Sequence, residues 1–330
     1  MPPYRVVVAD FIVDELQAER EVLGDLAELT MLRATSEKDL LGQIEEADAI
    51  MMYHTIVISK ATIARLKHCK VIVRCGVGYD NIDHAFARTR RIPVANVPDY
   101  GTEEVADSAI GLMLALTRGI NFFNRRLQRQ PEPWSFMSGA PLLRLRGRVF
   151  GIIGLGRIGT ATARRAQALG MDVVFYDPYK PDGFDKALGI RRVEKLDDLL
   201  RQSFVLSLHC PLTAETKHLI DARALALLPE GAFLVNTSRG GTVDVAAIPP
   251  AIRSGQLRGA GIDVLPEEPP PLDHPLIAAW RDPADPCHER VIINPHTAFY
   301  SEEGLLDMRV KGAQTCRRAL LGEPLRNVVN

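Results

Sequence analysis

Short apolar runs alternate with amphipathic stretches along the first hundred residues. Four runs predict strands, at residues 5–10, 27–34, 48–54 and 70–76. The stretches between them space their apolar residues as helices do, at residues 13–26, 36–47 and 59–69, and the second stretch begins with the capping pattern Ser36-x-x-Asp39. Strands that alternate with helices in this way are typical of a parallel sheet with crossover helices. The pattern therefore predicts a small α/β domain.

The same alternation resumes after a long helical pattern from Thr102 to Gln130 and a cluster of helix-breaking residues, PEPWSFMSGAP, at residues 131–141. Six further apolar runs predict strands, at residues 148–154, 171–177, 204–210, 232–237, 259–264 and 291–296. We expect the proline-rich stretch 266–290 to be a surface loop with little regular structure, and residues 301–322 to form a last helix. These features predict a second, longer α/β domain, and 330 residues also exceed what one compact core holds.

Charge balance and cysteine usage narrow the classes of function. Forty basic residues against forty-one acidic ones give a net charge of −1, which argues against a surface for nucleic acid. The five cysteines are scattered and form no CxxC pair, so we expect a reducing compartment and no metal site. No signal-peptide pattern opens the sequence and no apolar stretch has the length to span a bilayer, which favours a cytoplasmic location.

The segment GIIGLGRIGT, residues 151–160, places three glycines between a predicted strand and a predicted helix. In a dinucleotide-binding fold, Gly154 would make the tight turn and Gly156 would let a pyrophosphate approach the backbone, while Gly159 would let the helix pack on the sheet. The next predicted strand ends at Asp177, where a carboxylate would accept hydrogen bonds from ribose hydroxyls and repel a 2′-phosphate. The segment therefore predicts a nucleotide site that prefers NAD to NADP.

Three ionisable residues follow predicted strands of the second domain, at the edge where open α/β sheets bind ligands: Arg239, Glu268 and His296. They suit the reduction of a 2-oxo acid, which needs a cation for the carboxylate and a proton donor for the carbonyl oxygen. Arg239 would bind the carboxylate and polarise the carbonyl, and His296 would be the general acid, or the base in the reverse direction. Glu268 would favour the protonated form of His296 and fix its ring. Asp263 is placed to reach a nicotinamide carboxamide.

Several longer stretches resemble the D-2-hydroxyacid dehydrogenase family, among them VRCGVGYDNID, GIIGLGRIG, HCPLTAETKHLI, GAFLVNTSRGGTVD and NPHTAFYSEEG. The resemblance implies two doubly wound parallel-sheet domains, with the active-site cleft between them. A flavodoxin-like substrate domain, residues 1–101 and 300–330, would receive an inserted Rossmann NAD-binding domain, residues 102–299. Arg239, Glu268 and His296 would be the catalytic residues.

The same resemblance implies two sets of binding residues. Those for NAD are Gly154, Gly156, Arg157, Ile158, Gly159, Tyr176, Asp177, His209, Cys210, Pro211, Thr216, Thr237, Ser238, Arg239, Asp263 and His296. Those for the substrate are Tyr53, Arg74, Val77, Gly78, Arg239, His296 and Phe299. The backbone N–H groups of Val77 and Gly78 would hold the substrate carboxylate. Tyr53 and Arg74 would face the cleft or, alternatively, only support this loop.

Within the family, MMYHTI, IVRCGVGYDNID and FYDPY look most like the C-terminal-binding proteins, which are NADH-binding transcriptional corepressors. An alternative function is therefore an NADH-binding sensor or scaffold with little turnover, although Phe299 stands where that branch has a tryptophan. A phosphoglycerate dehydrogenase is a third alternative that rests on the fold alone, whereas a formate dehydrogenase fits less well because Glu268 is present. Family members dimerise through the long helix, and Phe122, Phe123 and Trp134 there predict a homodimer.

Overall fold

The computed structural model describes residues 3–139 and 141–330, so Met1, Pro2 and Ala140, the last within the predicted helix-breaking cluster, lie outside the described residues. The chain divides into two compact units. The first comprises Met1–Gly101 with Ser301–Asn330, and the second comprises Thr102–Tyr300. Within the described ranges, no helix combines the length and the apolar character needed to cross a membrane.

The first unit is built on a five-stranded sheet in which neighbouring strands are parallel. Its strands are β1 (Tyr4–Val8), β2 (Ala27–Met31), β3 (Ala49–Met52), β4 (Val71–Arg74) and β5 (Val94–Asn96); its helices are α1 (Gln17–Leu23), α2 (Lys60–Ile63), α3 (His84–Thr89) and the last helix of the chain (Glu302–Leu321). Both β3 and β4 are buried along their whole length, as parallel strands covered on both faces are. The strand order β2-β1-β3-β4-β5 is that of flavodoxin-like sheets, which confirms the predicted fold of this unit.

Several features of this unit were predicted wrongly. The helix predicted at residues 59–69 spans only Lys60–Ile63, and α3 was not predicted. Residues 36–47 do not form a helix. A 3-10 turn at Glu37–Leu40 carries the predicted capping box of Ser36 and Asp39, but Gly42 then takes a φ of +80°, which lies outside the helical region. The sequence pattern also missed β5, because a strand of three residues leaves too short an apolar run to recognise.

The second unit is built on a seven-stranded sheet that is also parallel throughout. Its strands are β6 (Val149–Ile153), β7 (Asp172–Tyr176), β8 (Arg191–Arg192), β9 (Val205–Leu208), β10 (Ala232–Asn236), β11 (Leu257–Ile262) and β12 (Val291–Ile293). Its helices are α4 (Thr102–Thr117), α5 (Ile120–Arg129), α6 (Arg157–Ala168), α7 (Phe184–Leu188), α8 (Leu196–Leu200), α9 (Ala222–Leu227), α10 (Ile248–Arg253), α11 (Pro275–Arg281) and α12 (Cys287–Arg290).

The strand order of this sheet, β12-β11-β10-β9-β6-β7-β8, confirms the predicted Rossmann fold. With β6 as the first strand, six strands follow the order 3-2-1-4-5-6 of dinucleotide-binding sheets, and β12 adds a seventh at the edge. The direction of winding reverses between β6 and β9. Sheets of this kind bind ligands outside the carboxyl ends of the strands at such a switch point.

Two predicted elements of the second unit differ in the structure. The long helical pattern is two helices, because Gly119 between α4 and α5 has a φ of +64°. The proline-rich stretch 266–290 is not a loop without regular structure, since it contains α11 and α12. Pro275 is the first residue of α11, where a missing N–H costs nothing, and Leu276 and Cys287 are fully buried. The prolines here begin helices instead of excluding them.

A buried ion pair attaches the last helix to α1 in the first unit. The Arg309 guanidinium donates to both carboxylate oxygens of Glu19, at 2.8 and 2.7 Å, and also to Asp14 at 2.8 Å. Glu19 is 0% exposed and Arg309 is 8% exposed. Removing one partner of a buried pair leaves the other charge without compensation, which costs more than the pair itself contributes.

We therefore expect Arg309→Met to lower the free energy of unfolding by roughly 3–5 kcal/mol in urea titrations. The double variant Arg309→Met/Glu19→Leu should recover most of this loss, because it also removes the buried carboxylate that Arg309→Met leaves unpaired. Lys311→Met is the matched control, since its ion pairs with Asp99 and Asp307 are exposed and contribute under about 1 kcal/mol. A double variant no more stable than Arg309→Met would contradict the explanation.

Candidate functional site

The glycine loop between β6 and α6 lies directly against the loop that follows β9. Gly154 has a φ of +87°, and a Cβ there would lie 2.9 Å from the backbone of His209 and Cys210. A Cβ on Gly159 would lie 2.2 Å from the carbonyl oxygen of Gly154, so only glycine lets α6 begin this close to the turn. A Cβ on Gly156 would meet nothing within 4 Å. The backbone of Gly156 therefore borders open space at the amino end of α6. The first two residues of that helix are Arg157 and Ile158.

Asp177 follows β7 and is bound to the same loop. Its Oδ2 accepts a hydrogen bond from the N–H of Leu155 at 2.9 Å, and its Oδ1 accepts one from Tyr179 at 3.0 Å. The N–H of Gly154 donates to the carbonyl oxygen of Tyr176 at 3.0 Å. A carboxylate has about four acceptor positions, so Asp177 keeps capacity for two further donors.

The residues after β9 include a half-buried histidine whose ring is neutral at ordinary pH. Ser207 Oγ lies 2.9 Å from His209 Nε2, and burial lowers the pKa of His209 to about 3. Its Nδ1 is buried and has no hydrogen-bond partner within the described residues. Further along, the hydroxyl of Thr216 donates to the carbonyl oxygen of Pro211 at 2.6 Å, which closes this loop on itself.

Asn236, at the end of β10, holds the loop that carries Arg239. Its Nδ2 donates to the carbonyl oxygen of Arg239 at 3.0 Å, and its Oδ1 accepts from the N–H and the hydroxyl of Ser238 at 3.0 and 2.8 Å. Asn236 is 0% exposed. Thr237 Oγ1 is buried and has no hydrogen-bond partner among the described atoms. Asn236 was not predicted as a site residue, although a polar residue that ends an apolar strand was a usable signal.

The loops after β10 and β11 meet at Gly240. A Cβ on Gly240 would lie 2.0 Å from the carbonyl carbon of Leu265 and 2.3 Å from the nitrogen of Pro266. Leu265 in turn donates its N–H to Glu268 Oε1 at 2.8 Å. The backbone contact at Gly240 therefore fixes the Arg239 loop against the loop that carries Glu268.

His296 and Glu268 form a hydrogen-bonded pair. The distance between His296 Nδ1 and Glu268 Oε2 is 2.7 Å, and the two side chains are 24% and 36% exposed. The Phe299 ring lies edge-on to the imidazole with ring centres 6.0 Å apart. Residues from two separate loops thus place a carboxylate at the Nδ1 edge of the imidazole.

Asp263 holds the backbone on which His296 stands. Its carboxylate accepts from the N–H of Thr297 at 2.9 Å and of Ala298 at 3.1 Å, and its carbonyl oxygen accepts from the N–H of His296 at 2.8 Å. Burial raises the pKa of Asp263, and the N–H donors oppose this shift. His296 has a φ of +52°, a conformation that a non-glycine residue keeps only when its surroundings impose it. The observed partners of Asp263 are therefore the backbone of the His296 loop.

The first unit also collects polar groups at the carboxyl edge of its sheet. Asp10, after β1, accepts from the N–H of Tyr53 at 2.7 Å and of Thr55 at 2.9 Å, and burial raises its pKa. Tyr53 is 0% exposed, which favours a supporting role over direct contact with a ligand. Arg74 is 7% exposed and donates to the carbonyl oxygen of Cys75 at 3.0 Å.

The loop at residues 76–78 presents backbone N–H groups. Arg74 folds over Gly76, where φ is +147° and a Cβ would lie 1.6 Å from the guanidinium. Asn96 Nδ2 donates to the carbonyl oxygen of Val77 at 2.7 Å and so fixes the loop. Neither the N–H of Val77 nor that of Gly78 donates a hydrogen bond within the part of the chain that the structure describes.

The candidates for a metal site or a reactive thiol are the histidines, acidic residues and cysteines of the described ranges. No group of three or more histidine, cysteine, aspartate or glutamate side chains in residues 3–139 and 141–330 lies in an arrangement that could hold a metal ion. The five cysteines are free and buried. Burial raises the pKa of Cys210, the one beside the glycine loop, to about 11, so it is a neutral thiol.

A family model and two known proteins match most of the chain. Residues 110–298 match the family model described as "D-isomer specific 2-hydroxyacid dehydrogenase, NAD binding domain". The chain is 33% identical over 325 residues to the D-3-phosphoglycerate dehydrogenase of Methanocaldococcus jannaschii, covering 98% of this chain and 60% of that protein. It is also 33% identical over 319 residues to C-terminal-binding protein 1 of Caenorhabditis elegans, covering 93% and 42%. The chain thus spans about half the length of these relatives, and similarity to a phosphoglycerate dehydrogenase extends beyond the fold to the sequence.

A solved structure agrees with these relatives. The D-lactate dehydrogenase of Aquifex aeolicus, determined in complex with NAD and lactic acid, superimposes with a TM-score of 0.84 at 27% identity. The match covers 96% of each chain.

The contact at Gly240 predicts a clear difference between two neighbouring glycines. Gly240→Ala should lower the free energy of unfolding by roughly 3 kcal/mol, because its Cβ would overlap the backbone of Leu265. Gly241→Ala is the matched control, since its Cβ would meet only the side-chain ends of Leu212, at 3.1 Å. Thermal denaturation of both variants measures the difference. Equal melting temperatures would show that the two loops separate easily.

Proposed function

Because the chain belongs to the D-isomer specific 2-hydroxyacid dehydrogenase family, we propose that it is an NAD-dependent enzyme that interconverts a small 2-oxo acid and the corresponding D-2-hydroxy acid. The observation that carries this proposal is the pair of His296 and Glu268, joined at 2.7 Å. It stands at the carboxyl edge of a sheet with the strand order of dinucleotide-binding folds.

The residues at this edge fit NAD. Open space adjoins Gly156 at the start of α6, where backbone N–H groups favour a pyrophosphate. His209 Nδ1 and Thr237 Oγ1 are buried polar atoms without partners among the described residues, and a polar ligand would satisfy them. Asp177 retains acceptor positions for ribose hydroxyls. When bound, the cofactor supplies the hydride donor, as NADH, or the hydride acceptor, as NAD. The first unit is proposed to bind the substrate, and the second to bind NAD.

In the proposed mechanism His296 moves the proton. Glu268 accepts a hydrogen bond from Nδ1–H and so fixes the ring, and Nε2 is the nitrogen proposed to face the reacting oxygen. In the reductive direction the imidazolium gives its Nε2 proton to the carbonyl oxygen as that oxygen gains charge. In the oxidative direction neutral Nε2 takes the proton of the substrate hydroxyl. Asp263 positions His296 by holding the backbone on both sides of it.

The substrate carboxylate needs donors and positive charge. The planar guanidinium of Arg239 suits a carboxylate and an adjacent carbonyl oxygen, and Asn236 fixes the loop that carries it. In the first unit, the N–H groups of Val77 and Gly78 are the proposed donors to the carboxylate. Arg74 adds a positive charge for an anionic substrate, and Phe299, beside His296, is proposed to contact the rest of the substrate.

The acid–base assignment predicts distinct effects for three substitutions. His296→Asn should lower kcat by roughly 10²–10⁴-fold, because the proton transfer to and from the substrate oxygen is lost. Glu268→Gln should lower kcat less, because the amide oxygen can still accept the hydrogen bond from His296 Nδ1–H and hold the ring. Glu267→Gln is the matched control, one residue away and exposed. Unchanged kcat in His296→Asn would overturn the assignment.

The substrate class follows from measuring NADH oxidation with glyoxylate, pyruvate, hydroxypyruvate, phenylpyruvate and 4-methylthio-2-oxobutyrate. Oxidation of D-3-phosphoglycerate with NAD belongs in the same series, because one relative is named for that reaction. A second function, an NADH-binding sensor or scaffold, is favoured by the relative named C-terminal-binding protein 1. Tight NADH binding with negligible turnover of every acid would support that alternative.

We further propose a cytoplasmic homodimer. All five cysteines are free, which suits a reducing compartment. Four large apolar side chains in the segment at residues 120–137 are exposed: Ile120 (56%), Trp134 (82%), Phe136 (75%) and Met137 (64%). Such exposure is typical of an interface.

Sedimentation at micromolar concentration should therefore give twice the mass of the chain. The variant Trp134→Ser/Phe136→Ser should be a monomer, because the interface loses two aromatic anchors. Leu272→Ser removes a side chain of similar exposure (69%) outside this segment and should remain a dimer. A monomeric mass for the unmodified chain would refute the proposed dimer.

A further inference from the structure

We propose that Glu215 is a second acidic residue that selects NAD over NADP, acting beside Asp177 at the adenosine end of the nucleotide groove. This inference rests on the proposed function, since it concerns how the same site distinguishes NAD from NADP. It assigns a role to a residue in the loop after β9, whereas the sequence pattern pointed only to the acid after β7.

Sheet topology places the two acids on opposite sides of the glycine loop. The order β9-β6-β7 puts the loops after β7 and β9 on either side of the loop after β6. Because neighbouring strands lie about 4.8 Å apart, these outer loops start about 10 Å from each other. The hydroxyl of Tyr179, after β7, donates a hydrogen bond to Glu215 Oε2, after β9. The tyrosine side chain therefore spans the width of the groove.

Both ends of this bridge are held in place. The N–H of Tyr179 donates to Asp177 Oδ1 at 3.0 Å, which fixes the base of the tyrosine. On the other side, the N–H of Thr213 donates to the hydroxyl of Thr216 at 2.8 Å, and that hydroxyl donates to Pro211 at 2.6 Å. This closed turn presents Glu215 toward Tyr179. Tyr179 is thus a positioning residue for Glu215.

The two carboxylates act on the same region of the groove. Hydrogen bonding and charge from Glu215, and more weakly the charge of Asp177, raise the pKa of Tyr179. Nearby cations are largely engaged elsewhere. The Lys180 ammonium lies 5.0 Å from the centre of the Phe184 ring, and Arg192 pairs with Asp182 and Glu194.

Arg157, the first residue of α6, is exposed beside the glycine loop. The first turn of a helix is where a pyrophosphate binds, so we expect Arg157 to serve the pyrophosphate. Asp177 and Glu215 are thus the two acidic groups proposed to face a group on the ribose.

This arrangement penalises a 2′-phosphate more than one carboxylate would. A phosphate monoester carries about −1.5 to −2 charges at neutral pH, whereas the ribose hydroxyl of NAD is neutral. At a separation of roughly 8 Å in water of low ionic strength, removing one carboxylate should strengthen binding of such a dianion about fivefold. Binding of NADH should change little, because Asp177 still accepts its ribose hydroxyls.

The test is direct binding, measured by fluorescence titration of NADH and NADPH without a substrate. Glu215→Gln keeps the shape and an acceptor for Tyr179, and should lower the Kd for NADPH about fivefold while the Kd for NADH stays within about twofold. Tyr179→Phe should give a smaller change in the same direction, because Glu215 is released but not removed. The gain should diminish at 1 M salt, where screening is strong.

Glu230→Gln is the matched control. Glu230 is exposed and precedes β10, so it lies at the amino ends of the strands, away from the nucleotide groove. It removes the same charge and should leave both Kd values unchanged. An NADPH affinity for Glu215→Gln equal to that of Glu230→Gln would overturn the inference while leaving the proposed function intact. Failure of the unmodified protein to bind either nucleotide would instead refute the proposed function, and this inference with it.

Discussion

Contacts between backbones at the carboxyl edge of the seven-stranded sheet are the constraint on which the candidate site depends. At Gly154, Gly159 and Gly240 a single methyl group would lie within 2.0–2.9 Å of a neighbouring loop or turn. Side chains cannot occupy such gaps, so the loops after β6, β9, β10 and β11 are held at fixed separations. Each loop carries a residue of the proposed chemistry. The position of that residue therefore depends on how the backbones pack, and not on its own side chain.

Buried polar side chains hold two of these loops in place in addition to the glycine contacts. Asn236 fixes the loop of Arg239, and Asp263 fixes the loop of His296, each through hydrogen bonds to backbone groups. A buried polar group without partners is costly, so these side chains and their loops stabilise each other. The left-handed conformation of His296 is maintained in this way. The protein thereby places an acid–base pair at solvent-accessible positions on a rigid edge, which suits a reaction that needs fixed distances.

Sequence reasoning was most accurate where a feature is local. Alternating apolar runs predicted both sheets, and the glycine spacing with Asp177 predicted a nucleotide fold that the strand order confirms. It was wrong where one residue changes the backbone direction. Gly42 ends a helical pattern after one turn, Gly119 divides the long helix, and Pro275 begins a helix within a stretch expected to be a loop. The apolar periodicity of these segments carries no information on the φ that a single glycine or proline adopts.

The chain's sequence by itself determined that strands alternate with helices in two parallel-sheet domains, the family, and which ionisable residues follow which strands. The tertiary structure alone decided which of those residues meet. Glu268 and His296 are 28 positions apart, and their 2.7 Å contact depends on the register between β11 and β12. The roles of Asn236 and Asp263, and the bridge from Tyr179 to Glu215, depend on the same packing. The physical reason is that a residue's type sets what it can bind, whereas its partners are set by contacts between segments distant in sequence.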